Sequence, residues 1–105
     1  MTYRVRLTLE AAADLERLYD FVLQRELQLY GGDLALAGRA LDAIRKGFAT
    51  LQTSPFTCRK AGQGPFLREL IIPFGRSGYV ALFEIESSTN VVVIAVRHQL
   101  EEDYY

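Results

Sequence analysis

A single cysteine and a single histidine occur among the 105 residues of this chain. The lone thiol, Cys58, excludes an internal disulfide, and with no second sulfur ligand it excludes a thiolate zinc site. No apolar run approaches the roughly 20 residues needed to span a bilayer, so no membrane partner is expected. The N-terminus lacks the basic-then-apolar order of a secretion leader, and the expected compartment is the cytoplasm. Neither a metal nor a small cofactor is called for.

What is present suits one folded domain over residues 1–105. Half the residues are hydrophobic and 24% are charged, which supplies one core and excludes a disordered chain. The net charge of -1 conceals an uneven distribution. Glu101, Glu102 and Asp103 lie together in the tail, and the remainder is slightly basic. Arg59, Lys60, Arg68, Arg76 and Arg97 all fall in the second half, where strand pairing would gather several on one surface facing nucleic acid or an acidic partner. Scattered solubilising charge is the competing reading.

Tyr3 to Leu7 alternates apolar and basic residues, the period of a strand with one wet face. Thr8 then caps a helix with Glu10 and Asp14 near its start, where the helix dipole favours negative charge. Ala11, Leu15, Leu18, Val22 and Leu29 form its apolar side, with Asp14 on the wet side, and Gly31-Gly32 ends it near Tyr30. Asp33 caps a second helix whose seam is Leu34, Ala37, Leu41, Ile44, Phe48 and Leu51. Gly38 and Gly47 inside it suggest close approach by another element, or else only lower the helix's own stability. Ser54-Pro55 stops the helix.

The segment from Phe56 to Pro65 reads as a loop long enough to cover the mouth of a groove. Three strands follow: Phe66 to Ile72, Tyr79 to Glu86 and Val91 to His98, separated by short turns rich in glycine, serine and asparagine. The last of them is apolar on both faces, which predicts a central strand covered by helices on at least one side. The fold class is therefore α+β: an N-terminal strand and a two-helix hairpin packed on a small antiparallel sheet, in the order β-α-α-β-β-β.

That order, with Arg68-Glu69-Leu70, the turn Arg76-Ser77-Gly78-Tyr79 and the strand end Val96-Arg97-His98, resembles the RelE/ParE toxin superfamily over nearly the whole chain. The resemblance implies the toxin of a type II toxin-antitoxin system, neutralised by a cognate ParD-like antitoxin in a hetero-oligomer. Members of the ParE-like branch poison DNA gyrase without being enzymes in the usual sense. RelE-like members cut messenger RNA on the ribosome, with lysines before the glycine-tyrosine turn and an arginine after it. Here Leu70-Ile71-Ile72-Pro73 and Val80 occupy those places, and neither set can bind phosphate or move a proton.

The sequence accordingly favours the ParE-like branch, with a degenerate, non-toxic antitoxin binder as a further alternative. A nuclease would have to rely on His98 and Tyr104. Target-binding candidates are Arg76, Arg97, His98, Tyr104 and Tyr105, while Tyr19, Phe21 and Leu23 are candidates for a groove that receives an antitoxin helix. Arg68 and Arg97 are expected to reach solvent or to meet a carboxylate such as Glu69 or Glu84.

Overall fold

Alternation in the first residues produces strand β1, Arg4–Leu7, with both arginines exposed and Val5 and Leu7 turned toward the core. The computed structural model describes residues 2–101 and 104. Thr8 caps helix α1, Leu9–Gln28, by accepting the Ala11 N–H at 3.0 Å. The same hydroxyl donates to the Ile94 carbonyl at 2.9 Å, which ties the helix start to the last strand. The buried stripe of α1 is Ala11, Asp14, Leu18, Val22 and Glu26, a spacing of three and four. Two expectations change here: Asp14 is buried rather than wet, and Leu29, expected on the apolar side, is exposed; the helix itself ends at Gln28, near Tyr30 as expected.

Helix α2, Leu36–Thr50, begins later than an Asp33 cap would place it. Asp33 Oδ1 accepts the Ala35 N–H at 3.0 Å and closes a separate turn ahead of the helix. Ala37, Ala40, Ile44 and Phe48 face inward and Leu51 follows them, but Leu34 is exposed. A Cβ on Gly47 would lie 2.9 Å from Ile72 Cγ1, so the expected close approach is found there. Gly38 has nothing within 4 Å, and the same expectation fails for it.

A 3₁₀ turn at Pro55–Thr57 leads into β2, Arg59–Lys60, then β3, Leu67–Phe74, β4, Ser77–Ile85, and β5, Asn90–His98. The segment read as a groove-covering loop instead lengthens the sheet edge. Arg68 draws it there, donating to the carbonyls of Phe56, Cys58 and Pro65 at 2.9, 2.7 and 2.8 Å. Arg68 therefore meets backbone oxygens rather than Glu69 or Glu84. The Cys58 thiol beside it is pushed up by burial, against the opposing pull of the Arg68 charge.

The sheet order is β1-β5-β4-β3-β2, which makes β5 central, as its two apolar faces predicted. The sheet is mixed rather than wholly antiparallel, because β1 runs parallel to β5. Alternation in a four-residue strand fixes its wet face but not its neighbour or direction. The two helices cover one face, enclosing Leu18, Ile44, Phe48, Leu51, Ile72, Phe83, Val93 and Val96 in one core. No described helix is long and apolar enough to cross a membrane.

The two helix glycines give a direct contrast. Gly38→Ala is expected to raise stability by up to about 1 kcal/mol, since it gains helix propensity in open space. Gly47→Ala must displace Ile72 and should gain less or lose stability. Urea midpoints check this, and equal gains would contradict the packing described.

Candidate functional site

β1 pairs with β5 only as far as Leu7 opposite Val93, and side chains complete the rest of that strand edge. Asp14, 4% exposed, accepts the Val96 N–H at 2.9 Å, and Glu101 Oε1 accepts the His98 N–H at 3.0 Å. Arg17 bridges the two carboxylates, 3.8 Å from Asp14 and 3.3 Å from Glu101. These contacts fix α1 against the end of β5 and leave a groove of about 830 Å³ between the helical hairpin and the β3–β4 turn. Leu18, Phe21, Val22, Leu36 and Phe74 give it apolar walls, while Arg25, Arg76, Ser77 and His98 supply polar groups.

His98 is held by both ring nitrogens. Nδ1 lies 3.1 Å from the Leu100 amide nitrogen and Nε2 lies 3.0 Å from Ser77 Oγ. A backbone N–H can only donate, so Nδ1 carries the lone pair and the proton sits on Nε2, directed at the serine. A serine-histidine pair at hydrogen-bond distance would serve nucleophilic chemistry only with an unprotonated Nε2. The Leu100 amide, donating to Nδ1, favours the other tautomer, in which Nε2 carries the proton. Tyr79 meets it edge-on, with ring centroids 5.5 Å apart, and burial pushes the Tyr79 hydroxyl above the ordinary tyrosine range despite the opposing Arg25 charge.

The residues expected to contact the target do not form one surface. Arg76 is exposed on the β3–β4 turn at the groove rim. Tyr79 pairs with His98 and Val80 with Arg97, so the strand alternation places Arg97 on the sheet face opposite the groove. There it donates to the Glu101 carbonyl at 2.6 Å, and its guanidinium lies 5.0 Å from the centre of the Tyr104 ring. Tyr104 donates its hydroxyl to Glu69, which also pairs with Arg59 at 3.0 Å. Among the described residues Arg97 thus meets carbonyls and an aromatic ring rather than a carboxylate, and Tyr105 lies outside the described residues.

Tyr19, Phe21 and Leu23 are divided in the same way. Residues two apart on a helix differ by about 200°, so they alternate between flanks. Phe21, 65% exposed, enters the groove, whereas Tyr19 sits with Leu15, Leu41 and Arg45 on the other flank. Sequence reasoning missed Leu36, Phe74, Ser77 and Leu100 as groove residues. Their signal was positional: each flanks a helix start or a strand turn at the same end of the sheet. Among the described residues no group of three or more His, Cys, Asp or Glu could hold a metal ion.

A two-helix hairpin over one face of a five-stranded mixed sheet, with a groove at their open end, is the architecture of small toxins from toxin-antitoxin systems. The sequence matches, over residues 5–103, the family model described as ParE toxin of the type II toxin-antitoxin system parDE. The chain belongs to that family and is a type II toxin of the ParE/RelE class. It is 30% identical over 102 residues to a curated protein called Toxin RelE1 from Caulobacter vibrioides, covering 97% of this chain and 99% of the relative. A structure of the chromosomal ParDE system from P. aeruginosa shares its fold, with a TM-score of 0.71 and 21% identity, covering 92% of this chain and 96% of that one. The RelBE2 toxin-antitoxin complex from Mycobacterium tuberculosis gives a TM-score of 0.62 and 22% identity, covering 96% and 95%.

Tyr104 provides a test of the tail contact. Burial and the adjacent Glu69 carboxylate both raise its pKa, outweighing the Arg97 charge. The contact is therefore fully present below the ordinary tyrosine value of about 10 and is lost only as pH rises through the higher folded value. In an alkaline absorbance titration, the difference between wild type and Tyr104→Phe should appear well above that ordinary value. A difference centred at the ordinary value would show that the tail is not docked.

Proposed function

We propose that this toxin is a protein inhibitor of DNA gyrase, blocking or trapping strand passage, and that a ParD-like antitoxin neutralises it in a hetero-oligomer. The observation that carries the non-nuclease reading is the division of the two acid-base candidates singled out from the sequence. His98 is locked in the groove with its proton on Nε2, while Tyr104 is on the opposite face with its hydroxyl committed to Glu69. Cleavage of RNA needs a general base, a general acid and cationic stabilisation converging on one phosphate. The positions beside the glycine-tyrosine turn point the same way: Val80 is 2% exposed and Ile72 is 3% exposed, both spent on packing.

The match to the ParE family supports the same branch, while the relative named Toxin RelE1 keeps ribosome-dependent cleavage as the reading to exclude. The groove suits an antitoxin segment with an apolar face and acidic flanks, seated on Phe21, Leu36 and Phe74. Arg76, which forms no ion pair among the described residues, would meet the acidic flank or the target.

Purified toxin incubated with gyrase, ATP and relaxed plasmid should abolish supercoiling or accumulate cleaved DNA. His98→Ala should keep that activity within about threefold, because the ring performs no chemistry. Phe21→Ala should weaken antitoxin binding about tenfold or more, as loss of an aromatic anchor does. Unaffected gyrase together with His98-dependent cleavage of ribosome-bound mRNA would refute the proposal.

A further inference from the structure

The groove holds two donors that no described residue answers. His98 Nδ1 takes the Leu100 N–H at 3.1 Å, which favours the proton on Nε2, and Nε2 lies 3.0 Å from Ser77 Oγ. The serine oxygen therefore accepts from the imidazole, and its own O–H is turned elsewhere. Among the described residues no acceptor takes that proton. Arg76, the preceding residue on the same turn, forms no ion pair or hydrogen bond through its guanidinium among the described residues.

The serine is held in place. It pairs with Phe74 across a two-residue turn in which Gly75 has φ 60°, a left-handed backbone that favours glycine. One residue on, the Gly78 carbonyl accepts the Gln99 N–H at 2.9 Å, which ties the turn to the strand end carrying His98. The free hydroxyl thus has a fixed position, half-buried on the groove wall. A donor held this way loses little entropy when an acceptor arrives.

The other charges of the groove are already spent. Arg17 reaches Asp14 and Glu101, Arg25 pairs with Glu26 at 3.2 Å, and Glu101 also accepts the His98 N–H. What remains is one cation and one neutral donor, a set that matches the two oxygens of a carboxylate. A phosphate suits it less, because the Glu101 carboxylate lines the same groove and repels the larger charge more strongly. The walls Leu18, Phe21, Val22 and Phe74 call for apolar side chains on whatever carries the acceptor. A concave site of about 830 Å³ suits a chain segment with an apolar face better than the surface of a folded enzyme.

We propose that Ser77 and Arg76 form a carboxylate-binding site that receives one aspartate or glutamate of the antitoxin segment, and that His98 is the positioning residue that turns the serine hydroxyl toward it. This deepens the assignment of the groove to the antitoxin and rests on it.

The test is a double-mutant cycle between the toxin and its purified cognate antitoxin, with folding of each variant checked by circular dichroism and Tm. Each Asp and Glu of the antitoxin is changed in turn to Asn or Gln, and affinity is measured for wild-type toxin, Ser77→Ala, Arg76→Gln and Phe21→Ala. Ser77→Ala should weaken the unaltered antitoxin about tenfold or more, as loss of a hydrogen bond to a charged group does. Ser77→Thr, which keeps the hydroxyl, should stay within threefold of wild type. One antitoxin acid should cost about tenfold against wild-type toxin and less than threefold against Ser77→Ala, and Arg76→Gln should couple to the same acid. In the free toxin, nitrogen NMR of His98 should find the proton on Nε2.

A proton on Nδ1 overturns the proposal, because the serine hydroxyl would then be directed at the ring. If Phe21→Ala weakens the complex and no acid couples to Ser77, the groove reading stands and the carboxylate site falls. If neither Phe21→Ala nor Ser77→Ala alters antitoxin affinity, the groove reading falls and takes the site with it. Intact antitoxin affinity in Ser77→Ala together with weakened gyrase inhibition would give the carboxylate to the target and overturn the proposal as well.

Discussion

A buried carboxylate, Asp14, accepts the backbone N–H of Val96, and this bond joins the first helix to the strand on which the groove depends. β5 has nine residues and β1 only four, so much of that β5 edge has no neighbouring strand. Thr8 satisfies the Ile94 carbonyl, Asp14 the Val96 amide and Glu101 the His98 amide, which turns a helix and a tail into substitutes for a strand. An unmade bond at such a buried donor costs roughly 1–3 kcal/mol. The same contacts set how far α1 stands from the β3–β4 turn, and therefore the width between Phe21 and His98.

Much of this was legible. Alternation identified β1, Thr8 and the following acids marked the start of α1, and glycine and serine clusters separated the three long strands. The doubly apolar Val91–Val96 run marked the centre of the sheet. What periodicity could not supply was partner identity. The parallel pairing of β1, the pull of Arg68 on three carbonyls and the burial of Asp14 all depend on elements distant in sequence. Periodicity alone assigns Asp14 to the wet side, because an isolated helix offers a carboxylate nothing better than water. The strand end that needed an acceptor lies 82 residues away.

The candidate site was legible in its residues and not in their grouping. Arg76, His98 and Phe21 do line one groove, yet Arg97 and Tyr104 face the other side of the sheet and Tyr19 the other flank of the helix. The outcome is a molecule with separated surfaces: a groove with apolar walls and a cationic rim, and a back face closed by the Arg97–Tyr104–Glu69 contact. Such separation suits a toxin that must be held by one partner and engage another.

Hydrogen exchange at the Val96 amide tests the dependence of the groove on Asp14 most directly. In the wild type this amide should exchange only through global unfolding, at the rate of the slowest core amides. In Asp14→Ala it should exchange far faster, together with His98, while amides between β3 and β4 stay protected. Val96 exchanging as fast in wild type as in the variant would contradict the account, because the groove would then be held by something other than the carboxylate that closes the strand edge.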